Sequence, residues 1–187
     1  MRITGGIGRG RRLKVPAGDR VRPTSDKVKQ ALFNILGERV RGARLLDLFA
    51  GAGGIGLEAL SRDAGQVVFV DSSRESLSAI RQNVEALGCA DRAVVMPSKA
   101  ESFLKKPSGT FDIIVLDPPY RMELAPLLAQ IAGAGVLGEQ GIVIAEHFKK
   151  QPSPERAGEL ELYREAVYGD TVLAFYRKQT EPAAKTP

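Results

Sequence analysis

From Arg44 onward the chain repeats one pattern, a short apolar run followed by a helical stretch, and few folds accommodate that alternation. The apolar runs fall at 44–49, 66–71, 92–96, 111–117 and 141–146, with helical stretches near 54–63, 74–87, 98–105 and 122–133 between them. Runs such as Ile113-Ile114-Val115-Leu116 are apolar on both faces, as strands buried between two helical layers must be. Alternating β and α units predict an α/β fold, a parallel sheet with helices on both faces. Two further runs, 160–168 and 171–177, flank Gly169-Asp170 and predict a hairpin that closes a seven-stranded, mostly parallel sheet.

Before Arg44 the chain has another character. Residues 1–44 hold 12 Lys/Arg against 3 acids, a net of +9, whereas the remaining 15 basic and 19 acidic residues net −4. The pI of about 9.5 therefore belongs to the N-terminal quarter, the footprint of a surface that binds a polyanion. Arg2 to Gly6 and Arg11 to Val15 are β-prone and separated by Ile7-Gly8-Arg9-Gly10, so an N-terminal β-hairpin extension with arginines at its tip is expected. Thr24 or Ser25 can cap a helix in which Val28, Ala31, Leu32, Ile35 and Leu36 share one face, Lys27 and Lys29 lie on the polar one, and Gly37 is the stop. The expected organisation is a basic polyanion-binding appendage over 1–40, one α/β domain over 41–178 and a disordered tail over 179–187. No window is apolar enough for a membrane span and the N-terminus lacks an apolar leader, so a cytoplasmic monomer with no membrane partner is expected. One cysteine, Cys89, and one histidine, His147, leave no basis for a zinc site, and no metal is expected.

Two stretches carry chemistry. Asp47-Leu48-Phe49-Ala50-Gly51-Ala52-Gly53-Gly54-Ile55-Gly56 ends the first strand with GxGxxG, a spacing that allows a tight strand-to-helix turn and close backbone approach to a ligand. Asp71 ends the next strand, where an acid accepts from both hydroxyls of a ribose. A dinucleotide would need only the glycine turn and Asp71; Asp47 adds an acid suited to a ligand with an ammonium and a sulfonium, which favours S-adenosylmethionine. Asp117-Pro118-Pro119-Tyr120 follows the fourth strand. Each proline removes a donor and restricts the chain, leaving a corner of acceptors beside an aromatic ring, which suits a flat ligand with an exocyclic amino group such as a nucleobase.

These residues, in this order, resemble the class I S-adenosylmethionine-dependent methyltransferases that modify exocyclic amines. More closely, Gly5-Gly6, Arg9-Gly10-Arg11, Arg22-Pro23-Thr24-Ser25-Asp26, Ala31-Leu32-Phe33-Asn34-Ile35-Leu36, Gly56-Leu57-Glu58-Ala59-Leu60-Ser61-Arg62 and Tyr168-Gly169-Asp170-Thr171 resemble the RsmD family, and the match spans nearly the whole chain. The resemblance implies a Rossmann-like class I methyltransferase that methylates N2 of a guanine in 16S ribosomal RNA on the assembling small subunit. It implies donor contacts at Asp47, Phe49, Ala50, Gly51, Gly53, Gly54, Asp71, Ser72, Ser98, Ala100 and Asp117. Catalytic roles fall to Asp117, Pro118 and Tyr120, and RNA contacts to Arg9, Arg11, Arg12, Arg22, Thr24, Lys27, Pro119 and Tyr120. Two positions depart from the pattern: Pro97-Ser98-Lys99-Ala100 lacks the acid that relatives place against the adenine amino group, with Ser98 as substitute, and Asp71 stands where many relatives have Glu.

An aryl amine's lone pair is delocalised into its ring, so acceptors on its two hydrogens favour the pyramidal nitrogen that attack on a methyl group requires. Asp117 and the Pro118 carbonyl supply them, and Tyr120 would stack on the flipped-out base. Guanine, with N1–H beside its amino group, suits a carboxylate better than adenine does. Adenine-N6 or another nucleic-acid amine remains an alternative substrate. A nicotinamide oxidoreductase would use the glycines and Asp71 but leaves Asp117-Pro-Pro-Tyr without a role. A non-catalytic RNA-binding assembly factor fits the charge but not the intact glycine turn.

Overall fold

The computed structural model describes residues 1–16, 25–119 and 121–179. Its centre is a sheet of eight strands: β1 (Arg44–Leu48), β2 (Gln66–Asp71), β3 (Ala93–Pro97), β4 (Phe111–Leu116), β5 (Leu137–Phe148), β6 (Arg156–Ala157), β7 (Leu160–Tyr168) and β8 (Thr171–Lys178). The strand order is β3-β2-β1-β4-β5-β8-β7-β6. Strands β1 to β5 are parallel, and β8, β7 and β6 add in antiparallel fashion at one edge. The chain winds outward from β1 to β3 and then returns to β4 on the other side of β1. That reversal opens a crevice at the carboxyl ends of β1 and β4, where α/β sheets bind ligands.

Successive side chains of each strand enter opposite layers. Leu45, Phe69, Ile113, Val115 and Ile144 pack with α1 (Asp26–Leu36), α2 (Gly54–Ser61) and α3 (Arg74–Leu87). Leu46, Val68, Ile114, Leu116 and Val143 pack with α4 (Ala100–Lys105) and α5 (Leu124–Gly133). The five expected parallel strands and their helices are present, and the sheet differs from the seven strands expected by one short addition. Strand β6 has two residues, too few for a periodicity to be read. Strand β5 starts four residues earlier than expected because Leu137 pairs with Phe111 across a register shift, which the polar Gly138-Glu139-Gln140 hides in the sequence. At the other end Gln179 N–H donates to Glu159 O at 2.8 Å, so the residue expected to begin the tail is tied to the sheet. The remainder of the expected tail, 180–187, lies outside the described residues.

The N-terminal stretch turns back on itself, with an antiparallel bridge between Arg2 and Arg12. Ile3 and Leu13 enter the same core as β1 and α2. The Ile7 and Gly8 N–H groups donate to Ser61 O and Oγ, each at 2.9 Å, and Lys14 and Asn83 of α3 exchange two hydrogen bonds. Ser25 caps α1, its hydroxyl accepting from Val28 N–H at 3.2 Å, and Gly37 ends the helix at φ 53°.

Lys29 corrects the sequence reading. The helical wheel puts it on the polar face, yet its side chain is 0% exposed, 3.4 Å from an equally buried Glu58 carboxylate. Lys29 also donates to Arg2 O, and Glu58 accepts from Thr4 N–H (2.7 Å), Thr4 Oγ1 (2.8 Å) and Arg62 Nε (2.9 Å). This buried cluster ties the N-terminal turn, α1 and α2 together, so the basic quarter shares the core of the sheet. Lys29 therefore does not share the exposed face of α1 with Lys27, which is exposed.

Candidate active site

The crevice has two sides that meet at Asp117. On the side of the glycine turn the chain leaves β1 through a sharp bend in which Phe49 (φ 63°), Gly51 (φ 54°) and Gly53 (φ 79°) are left-handed. A phenylalanine in that region is strained, and such strain concentrates at functional sites. Gly56, one turn into α2, serves packing: a Cβ there would lie 2.3 Å from the Phe69 ring, so only glycine lets α2 approach β2 this closely. Ala50 N–H donates to Val70 O (3.0 Å), which holds the turn against β2.

Asp47 lies beneath this turn, 4% exposed, its Oδ2 accepting from Gly56 N–H at 2.9 Å. Burial pushes its pKa up to about 7 against the opposing Gly56 hydrogen bond, and the Asp71 charge adds to the rise. Asp71 is half-buried at the end of β2; its Oδ2 accepts from Gly51 N–H (2.7 Å) and its Oδ1 from Ser73 N–H (2.8 Å). Both oxygens keep a lone pair for a further donor, since a carboxylate offers about four acceptor sites. Gly54 and Ala100 open α2 and α4 beside it, and Ser72 is exposed. Ser98 N–H donates to Asp71 O (3.1 Å) and its hydroxyl to Lys99 O (3.0 Å), which leaves the Oγ lone pairs as acceptors.

On the other side Asp117 joins Ser25 and Val28 of α1, Glu146 to Phe148 at the end of β5 and the turn from Tyr168 to Thr171 around a cavity of about 290 Å3. The pairing of Leu116 with Ala145 makes Asp117 and Glu146 the next neighbours along two parallel strands. Burial raises the Asp117 pKa well above the carboxylate range, and the charges of Glu146 and Asp47 raise it further. Asp117 is thus within electrostatic reach of Asp47 beneath the glycine turn and lines the cavity at once. Pro118 is buried and Pro119 exposed. The Pro119 carbonyl accepts from Met122 N–H at 2.8 Å, so of the two proline carbonyls it is Pro119's that the chain uses for its own turn.

A family described as Conserved hypothetical protein 95 matches residues 1–177. Among curated proteins, "Putative rRNA methyltransferase YlbH" of Bacillus subtilis is 41% identical, over 96% of this chain and all of that one. Ribosomal RNA small subunit methyltransferase D of Escherichia coli is 34% identical, over 97% of this chain and 91% of that one. The solved E. coli chain yhhF superposes with a TM-score of 0.85 at 34% identity, covering 97% of this chain and 99% of its own. The chain belongs to the RsmD family.

Its class I methyltransferase fold follows from the same matches, and the resemblance drawn from the sequence blocks is borne out. Within this RsmD-family protein the structure brings Asp47, Phe49, Ala50, Gly51, Gly53 and Asp71 together around one turn, with Asp117 across from them. Glu146 was not among the residues singled out in the sequence. Its signal there is the acid directly after the apolar run of β5, at the register of Asp117. Of the expected RNA contacts, Arg9, Arg12 and Lys27 are exposed, while Arg11 Nη1 donates to Ala86 O and so anchors the hairpin to α3. Arg22, Thr24 and Tyr120 lie outside the described residues. No helix among the described residues is long and apolar enough to cross a membrane, and these residues hold no group of three or more metal-ligating side chains.

Proposed function

We propose that this protein transfers a methyl group from S-adenosylmethionine to the exocyclic N2 of a guanine in 16S ribosomal RNA of the bacterial small subunit, acting on the assembling particle. The observation that carries the reading is the position of Asp117, between the acid-lined glycine turn and a cavity edged by acceptors. Asp47 and Asp71 fit the donor: a buried carboxylate for its ammonium and a carboxylate already fixed by two backbone N–H groups for its ribose. Bound there, S-adenosylmethionine supplies an electrophilic methyl group on a positively charged sulfur.

Asp117 and the Pro118 carbonyl accept the two hydrogens of the guanine amino group and hold its nitrogen pyramidal, with the lone pair free to attack. The role of stacking on the base falls to Tyr120 by the family resemblance alone. The nitrogen becomes an acidic ammonium on methylation and gives its proton to Asp117 or to water. Phosphates are excluded from a cavity edged by Asp117, Glu146 and Asp170, so the backbone must be held elsewhere, by Arg9, Arg12 and Lys27. Mapping N2-methylated guanines in small-subunit RNA from cells with and without this gene tests the reading. A single guanine that loses its methyl group supports it, and an unchanged map rejects it.

Donor binding should depend on pH. Asp47 must be ionised to pair with the ammonium, and Asp71 and Asp117 are the acids that face it. Below pH 7 the empty site holds a proton on Asp47 that binding must expel, so donor affinity should fall about tenfold per pH unit below 7 and level off above it. Calorimetry from about pH 5.5 to 8 should show this slope for the wild type and none for Asp47→Asn. Equal affinity at about pH 6 and pH 8 in the wild type would remove Asp47 from donor binding.

The RNA surface has its own signature. Arg9→Ala with Arg12→Ala should weaken RNA binding and flatten its salt dependence, by roughly 0.7 to 0.9 log units per log of salt for each phosphate that is no longer neutralised. Arg11 is spared because it anchors the hairpin. RNA affinity at several salt concentrations reads the effect, and parallel plots for the two proteins would mean that the hairpin does not touch phosphate.

A further inference from the structure

The antiparallel edge of the sheet carries a basic and aromatic cluster that the methyl-transfer site does not use. Strand β7 bulges between Leu162 and Arg164, where two residues advance against one on β8. A bulge re-aims a side chain, and here it brings Tyr163 and Arg164 to one face: the Tyr163 ring lies 6.2 Å from Phe175, and the Arg164 guanidinium 5.9 Å from the same ring. The Arg177 guanidinium lies over Tyr163 at 5.4 Å. Arg39 reaches the cluster from the helical turn Gly37–Val40. Partial burial raises the Tyr163 pKa, and the charges of Arg39, Arg164 and Arg177 all oppose that rise. Tyr163 stays 41% exposed, and all three arginines are exposed. Among the described residues only Arg177 of the three is ion-paired, to Glu161 at 2.9 Å. Arg39 donates to Gln140 O at 3.3 Å, and Arg164 lies over the Phe175 ring. Most of their guanidinium donors thus remain for an acceptor outside the chain.

One carboxylate against three guanidinium groups beside an exposed ring fits a nucleic-acid strand, whose phosphates take forked donors and whose bases pack on aromatic rings and guanidinium planes. We propose that this edge is a second RNA-binding surface, on which an unpaired base packs against Tyr163 and Arg177 while Arg39 and Arg164 hold the flanking phosphates. The inference rests on the RNA reading above and adds to it a surface separate from the N-terminal hairpin. Its position favours RNA over a protein partner. Arg164 precedes Tyr168 by four residues of β7, roughly 13 Å, and Tyr168 walls the cavity beside Asp117. Phe175 and Tyr168 pack in the same layer, so a strand leaving the cavity along that face of β7 meets Arg164 within a few nucleotides.

Small-subunit particles from cells lacking this gene are the probe. Binding of R39A/R164A to them should weaken roughly tenfold or more, and its salt dependence should flatten by roughly 0.7 log units per log of salt for each phosphate no longer held. R164K keeps the charge and should keep the wild-type salt slope. Y163A should weaken binding by roughly 5- to 150-fold, and Y163F, which keeps the ring, by less than about threefold. Calorimetry with S-adenosylmethionine should give wild-type donor affinity in each variant, which reports an intact fold. The full chain with p-benzoylphenylalanine in place of Tyr163 is then photo-cross-linked to the same particles. A cross-link to RNA together with flattened salt plots supports the inference. Parallel salt plots, a cross-link to a ribosomal protein, or no cross-link overturns it. The function reading is judged separately, by whether the wild type methylates N2 of the mapped guanine on those particles.

Discussion

Asp117→Ala is expected to lower methyl transfer by about a thousandfold while leaving donor affinity within a few-fold, because the lost acceptor acts on the amine and not on the donor's ribose. Asp117→Asn should keep partial activity at best. Its amide turns one oxygen into a donor that faces the amino hydrogens, and it thereby imitates the protonated aspartic acid. Burial and the neighbouring Glu146 and Asp47 charges raise the Asp117 pKa, so the wild type should lose activity on acidification at a higher pH than an ordinary carboxylate would dictate. In the Asn variant that limb of the pH profile should vanish, leaving whatever slope donor binding itself contributes. Single-turnover rates at saturating donor from about pH 5 to 9 separate these outcomes. Full activity in Asp117→Ala would take Asp117 out of the mechanism.

The glycine turn and its carboxylates were legible in the sequence because their logic is local. A strand, a glycine turn and an acid at the end of the next strand lie close together along the chain, and each leaves its own mark: Gly53 and Gly51 by their backbone, Gly56 by the space that Phe69 denies it. Asp47, Asp71 and Asp117 could be placed at strand ends because apolar runs give strand boundaries within a residue or two. The cavity beside Asp117 was less legible because it is assembled from distant pieces. Ser25, Glu146 and the Tyr168 to Thr171 turn converge only once β5 lies beside β4 and β8 returns antiparallel to it. The period of a helix also cannot tell a solvated lysine from a buried one. Lys29 and Glu58 occupy positions that a wheel assigns to solvent and to a helix interior, and only the docking of the N-terminal turn makes them partners.

That pairing makes the second large prediction. Lys29→Met is expected to destabilise the protein by about 3 to 5 kcal/mol, since removing one member of a buried ion pair leaves the other charge desolvated with too few partners. Glu58 would retain Arg62 and Thr4, but Arg62 is partly solvated and Thr4 is neutral. In a chain of this size the loss corresponds to a fall in Tm of roughly 6 to 20 °C. Glu58→Gln should cost a comparable amount, because Lys29 then loses its nearest charge partner among the described residues and is left with the Asp26 carboxylate at 3.8 Å beside Arg2 O. The two changes together should cost less than their sum, because the second removes a charge that the first has already left uncompensated. Denaturant unfolding of the two single variants and the double variant measures that coupling; additive losses, or single losses under about 1 kcal/mol, would show that the cluster is incidental to stability. A second readout follows from geometry. Ser25 and Val28 sit at the start of the helix that carries Lys29 and line the cavity, so loosening α1 should weaken RNA binding while the donor turn, held by Asp47, Gly56 and Asp71, keeps its affinity.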